Sequence, residues 1–141
     1  MPALCDTNLL LALCYDRHVH HGAALRWLDA QGQRSAVLCR TTQLSLLRLL
    51  CHATVMANNV HTMPQAWAVY DQILADERFV FHAEPANLEP TLRRLTQADR
   101  SSPKLWQDAY LASFALASGL YLATFDRGFQ QYPGLRVVLL S

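Results

Sequence analysis

The chain has 141 residues, 52% of them hydrophobic and 16% charged, with a formal net charge of +1. That length suits one domain, taken here as residues 1–141, with apolar residues enough for a sizeable core. The near-neutral charge gives no global sign of nucleic-acid binding, and no run reaches the roughly 18 uncharged apolar residues that span a bilayer.

The opening MPALCDTNLL carries an acid and no basic region, unlike a signal peptide. A cytoplasmic protein with no membrane partner is therefore expected. The four cysteines, Cys5, Cys14, Cys39 and Cys51, form no C-x-x-C pair. They read as small buried hydrophobes, not as a disulfide framework or a zinc site.

PALC (2–5) reads as a short strand. TNLLLALCY (7–15) reads as a helix that Asp6 is placed to cap. A polar loop, 16–22, leads to a helix over 23–31 that Gly32 ends. SAVLC (35–39) is a second strand. TTQLSLLRLLCHATVM (41–56) reads as one long helix with Thr41 or Thr42 as cap. The helix over 63–77 has Pro64 in its first turn and a stripe of Ala66, Val69, Ile73 and Leu74. RFVFHAE (78–84) is a third strand and 87–97 another helix.

Ser102 and Pro103 then open the helix KLWQDAYLASFALAS, which Gly119 closes. LYLATF (120–125) lacks polar alternation except at Thr124, as a strand buried on both faces does. DRGFQQY forms a turn or short helix, and LRVVLL (135–140) is the last strand. Strands separated by helices imply a mostly parallel sheet, so the expected fold is an α/β three-layer α/β/α sandwich with five strands.

Asp6 follows the first strand and Asp126 the fourth, so both point to the carboxyl edge of the sheet, where functional residues of such folds gather. Asp108 shares a helical face with Leu111, Ala112 and Ala115, the face that packs on the sheet. Its helix runs back against the following strand, which brings Asp108 to the same edge. Three carboxylates at about 4 Å repel by roughly 4 kcal/mol per pair at an effective dielectric near 20. A divalent cation relieves that repulsion, and hard oxygen donors favour Mg²⁺ or Mn²⁺ over Zn²⁺. Such a site can activate water and stabilise a phosphodiester transition state, which points to nucleic-acid hydrolysis.

With these residues placed, the chain resembles the PIN-domain family, and within it the VapC-type toxin ribonucleases of bacterial toxin–antitoxin pairs. LCDTNLLLAL resembles the opening D-x-N motif and TTQLSLLRLL the second motif region. WQDAYLASFALASGLYLATFDRGF resembles the closing D-A-x-L-A and T-F-D-x-x-F motifs, the most specific of the three. The resemblance implies a five-stranded parallel sheet, Mg²⁺- or Mn²⁺-dependent endoribonuclease activity on RNA, a homodimer, and a VapB-type antitoxin whose tail covers the site. By motif, Asp6, Asp108 and Asp126 match metal-binding acids, Asn8 matches the polar residue of D-x-N, and Thr124 matches the hydroxyl beside the last acid. Gln43 stands where many members have glutamate, so a site with one charge fewer and weaker metal binding is expected, with Glu84 as a candidate to compensate.

Taken singly, Asp6 reads better as a helix cap than as a ligand, and Asp126 can cap the short turn after its strand; their joint convergence with Asp108 favours chemistry. His18, His20 and His21 lack further ligands for a metal site, and His20 is kept as a contact for RNA or a partner. Arg127 is placed to hold a substrate phosphate or an antitoxin carboxylate. Arg48 does not share the face of Gln43; a structural role is favoured slightly over a functional one, binding phosphate or pairing with an acid. Trp27, Trp67 and Trp106 read as core or interface.

Two other classes compete. A PIN domain that binds RNA or antitoxin without efficient cleavage draws support from Gln43. A phosphoreceiver needs an aspartate pair after the first strand and a lysine after the fifth, which the chain lacks. Five glycines in all leave no phosphate-cradling loop.

Overall fold

The computed structural model describes residues 1–99 and 102–141. Five parallel strands form one sheet: β1 (Ala3–Cys5), β2 (Ala36–Leu38), β3 (Phe79–Phe81), β4 (Tyr121–Thr124) and β5 (Val137–Leu139), in the order β3-β2-β1-β4-β5. Seven α-helices lie among the described residues: α1 (Thr7–Cys14), α2 (His21–Asp29), α3 (Arg40–Leu50), α4 (Ala53–Met56), α5 (Met63–Ala75), α6 (Leu88–Leu95) and α7 (Pro103–Ser118). None is long and apolar enough to cross a membrane.

Alternation along the strands builds two apolar layers. Ala3, Cys5, Ala36, Leu38 and Ala123 pack on one face with Leu9 and Leu10 of α1, Leu46 of α3 and Tyr70 of α5. Leu4, Val37 and Leu122 pack on the other with Leu111, Phe114 and Ala115 of α7. This is the expected three-layer α/β/α sandwich. Burial on both faces explains why the central strands β1, β2 and β4 read as nearly continuous apolar runs. The four cysteines are free, and burial pushes the Cys14 thiol up to about 12.

Side-chain caps set the starts of several helices. The Thr62 hydroxyl accepts from the Gln65 amide at the start of α5, and the Ser102 hydroxyl accepts from the Leu105 amide at the start of α7. The expected single helix over 41–56 is instead two. It starts earlier, at Arg40, with the Cys39 amide donating to Thr42 Oγ1 at 3.2 Å, and it stops at Leu50, whose carbonyl accepts from the His61 amide. Apolar periodicity alone does not reveal that break. Helix α2 ends at Ala30 in right-handed geometry, so Gly32 is not its left-handed cap.

Gly119 does close α7, at φ 68°, where its amide donates to the Leu116 carbonyl and an added Cβ would meet no atom within 4 Å. Gly119→Ala is therefore expected to destabilise the protein by about 1 kcal/mol through backbone strain alone. Urea denaturation checks this, with the same slope and a lower midpoint as the expected result.

Candidate active site

The Cys5–Ala123 pairing sets β1 beside β4, and the Asp6 amide donates to the Ala123 carbonyl at 3.0 Å. Asp6 therefore leaves the sheet next to Thr124. The Thr124 hydroxyl donates to Asp6 Oδ2 at 2.7 Å and accepts from the Asp126 amide at 2.9 Å. One fully buried hydroxyl thus ties two acids of different strands. Asp6 Oδ1 accepts from the Thr7 amide at 2.7 Å, so Asp6 caps α1 as well as facing the pocket.

Asp108 arrives from the second turn of α7. Lys104, one turn earlier, places Nζ 2.6 Å from Asp108 Oδ2 and 2.7 Å from Asp126 Oδ2. Asp126 Oδ1 accepts from the Gly128 amide at 2.8 Å. The three acids, Asn8, Ser45, Arg48 and Lys104 line one open pocket at the carboxyl edge of the sheet.

The acids are not equivalent. Burial raises the Asp6 carboxyl above its ordinary range; the Thr124 and Thr7 hydrogen bonds oppose this, and Asp108 and Asp126 add to it. The Lys104 hydrogen bond and the Gly128 amide lower Asp126. Burial would lower Lys104, but its bonds to Asp108 and Asp126 outweigh that and raise it. Among the described residues no three His, Cys, Asp or Glu side chains close on one ion-sized point. Two do converge on one cation, the Lys104 ammonium, and Mg²⁺ is commonly held by one or two carboxylates with waters completing its shell. The donors thus fit a hard divalent ion held by Asp108 and Asp126, with Asp6 beside it.

Other expected site residues fall elsewhere. Gln43 is buried but outside the pocket: its Oε1 accepts from Arg40 Nη1 at 2.6 Å, and the Arg40 guanidinium lies over the Phe81 ring. In place of Gln43, α3 turns Ser45 toward the acids, and its hydroxyl accepts from Gln107 Nε2 at 3.0 Å. Two residues along a helix turn the side chain by about 200°, so Gln43 and Ser45 cannot share a face. Arg48, three residues after Ser45, does share its face and lines the pocket.

Glu84 cannot compensate. It follows the edge strand β3, two strands from β1 or about 10 Å laterally, and accepts from the Tyr110 hydroxyl at 2.7 Å. Arg127 is exposed and outside the pocket lining. His20 stacks on Phe125 with centroids 4.3 Å apart, while His21 Nδ1 donates to the Ala12 carbonyl. Trp106 is exposed and lines a different depression with Leu95 and Tyr132. Ser45, Lys104 and Gln107 are pocket residues that sequence reasoning missed; the K-x-x-x-D spacing of Lys104 and Asp108 was the available signal.

A model of the PIN domain matches residues 3–135. The chain is 45% identical to Ribonuclease VapC41 of Mycobacterium tuberculosis, covering 98% of both chains, and 30% identical to Ribonuclease VapC38 of the same species, covering 99% of this chain and 98% of that one. Its fold is similar to VapBC2 from Rickettsia felis bound to a DNA fragment from its promoter, with TM-score 0.70 and 16% identity over 99% of this chain and 98% of that one. It is also similar to VapC20, a Sarcin-Ricin loop cleaving toxin of Mycobacterium tuberculosis, with TM-score 0.66 and 17% identity over 95% and 98%.

The raised Asp6 carboxyl has a stability consequence. Below pH 3.8 Asp6 is protonated folded and unfolded, and contributes nothing. Above that, the unfolded chain ionises first, so rising pH erodes stability until the folded carboxyl ionises too, and the loss persists at neutral pH. Asp6→Asn is expected to melt higher than the wild type at pH 7 without metal, with the gap closing toward pH 3.8. Thermal melts across that range check it. Thr124→Val, which strips the buried acid of its hydroxyl donor, is expected to lose about 1–3 kcal/mol in the same assay series.

Proposed function

The chain belongs to the PIN-domain family, and from that premise we propose that it is a metal-dependent endoribonuclease, the toxin of a toxin–antitoxin pair. The observation that carries the reading is the meeting of Asp6, Asp108 and Asp126 in one pocket, with two of them already sharing a cation. When bound, Mg²⁺ or Mn²⁺ would supply charge neutralisation at the phosphodiester and an acidified water.

The chain's residues divide the remaining tasks. Asp108 and Asp126 would hold the ion. Asp6, fixed by Thr124 and Thr7 and made more basic by burial, orients water and takes up its proton. Arg48, at the rim, contacts the RNA phosphate. Asn8 is exposed at the mouth and adds a polar contact.

An apolar groove lined by Leu47, Cys51, Met63, Ala66 and Trp67 adjoins the acid pocket through Arg48, which borders both. That continuity supports an antitoxin segment that lies in the groove and reaches over the acids. Exposed Leu44 on α3 and Leu74 on α5 support a homodimer face. Binding without efficient cleavage, the alternative, loses the support of Gln43, which lies outside the pocket.

Purified protein is expected to cut structured RNA, tRNA included, with Mn²⁺ or Mg²⁺ and not with chelator. Asp108→Asn is expected to lose about 100-fold or more of that activity, the scale of several kcal/mol that a metal contributes. Gln43→Glu is expected to change the rate by less than ~3-fold, since its side chain does not reach the ion. Gel analysis of cleavage products reads both; a wild type that binds RNA without cutting in either metal would favour the alternative.

A further inference from the structure

Lys104 is the chain's sole lysine, and its Nζ lies between two acids from different elements, one on α7 and one beyond β4. We propose that Lys104 is an exchangeable counter-ion: its ammonium holds Asp108 and Asp126 together in the metal-free protein, and a divalent cation loads by displacing it. The proposal rests on the metal-dependent reading of this pocket and adds what stands in the way of the metal.

The pair of contacts is not an ordinary surface ion pair. An i,i+4 lysine and aspartate on an exposed helix face only each other. Lys104 also crosses to Asp126, so a single positive charge neutralises two carboxylates that otherwise repel. The compact ammonium, with three donors, is the side chain best able to stand in for a small cation among oxygens.

The arrangement is built for exchange. The Asp108 side chain is 13% exposed and the Lys104 side chain 65%. The Gly128 amide holds Asp126 independently of the lysine. The acids therefore stay where the fold puts them, and only a flexible stem has to swing out to solvent. Among the described residues Arg48 is the other cation lining the pocket, and the balance there is three carboxylates against two positive charges. A metal-binding state that requires Lys104 to leave is only fractionally populated, and the apparent affinity falls by that fraction.

The test is isothermal titration of metal-free protein with MnCl₂ and MgCl₂, using wild type, Lys104→Met and Lys104→Gln. Both variants are expected to bind Mn²⁺ at least tenfold more tightly than the wild type, and Lys104→Gln keeps the test valid if the methionine variant folds poorly. Arg48→Met is the control for pocket charge at large and is expected to gain less than threefold. In wild type, acetylation of the Lys104 ε-amine, followed by peptide mass spectrometry, is expected to speed up when metal is added.

Metal binding that is unchanged or weaker in both Lys104 variants overturns the proposal and leaves the metal reading standing. An equal gain in Arg48→Met also overturns it, since the effect is then bulk charge. No binding heat in the wild type or any variant overturns both readings together.

Discussion

The pairing of β1 with β4 is the constraint on which the site depends. It sets the Asp6 amide on the Ala123 carbonyl and so brings Asp6 beside Thr124. From there one buried hydroxyl reaches both Asp6 and the amide of Asp126. Because all five strands are parallel, every loop that leaves the carboxyl edge of β1, β2 and β4 opens on the same side of the molecule. Helix α7 runs back toward that edge and delivers Asp108. The site therefore follows from connectivity, and short strands of three or four residues suffice to build it.

Charge balance decides what such a site can do. The pocket gathers three carboxylates, and the protein neutralises them unequally. Asp6 is buried and held by two neutral donors, which leaves it more basic than a free carboxylate; Asp126 is held by an ammonium and an amide, which leaves it more acidic. Environments that push like groups apart assign them different tasks, one to hold a cation and one to exchange a proton. The same difference gives the metal-free fold opposing pH dependences at two residues of one pocket.

Much of this was legible in the sequence, and the residues show why. Apolar runs flanked by caps located every strand and most helices, because a strand buried on both faces has no polar residue to spare. The carboxyl-edge rule placed Asp6 and Asp126, and the Leu111–Ala112–Ala115 face turned Asp108 inward. Three things were not legible. The break at Leu50 depends on a carbonyl taken by the distant His61 amide. The face of α3 was misjudged by two residues, because Gln43 and Ser45 are both buried and only the packing of Arg40 on Phe81 shows which one turns away. Lys104 was passed over because a lone lysine near a helix start reads as solvated surface until the loop after β4 folds against it.

The most direct test of the account is anomalous diffraction from crystals grown or soaked with Mn²⁺. The account predicts one strong peak between the carboxylates of Asp108 and Asp126, on the side that faces Asp6, with the Lys104 ammonium displaced from both. A peak at the histidines of residues 18–21, or no peak at the acids at saturating metal, would contradict it.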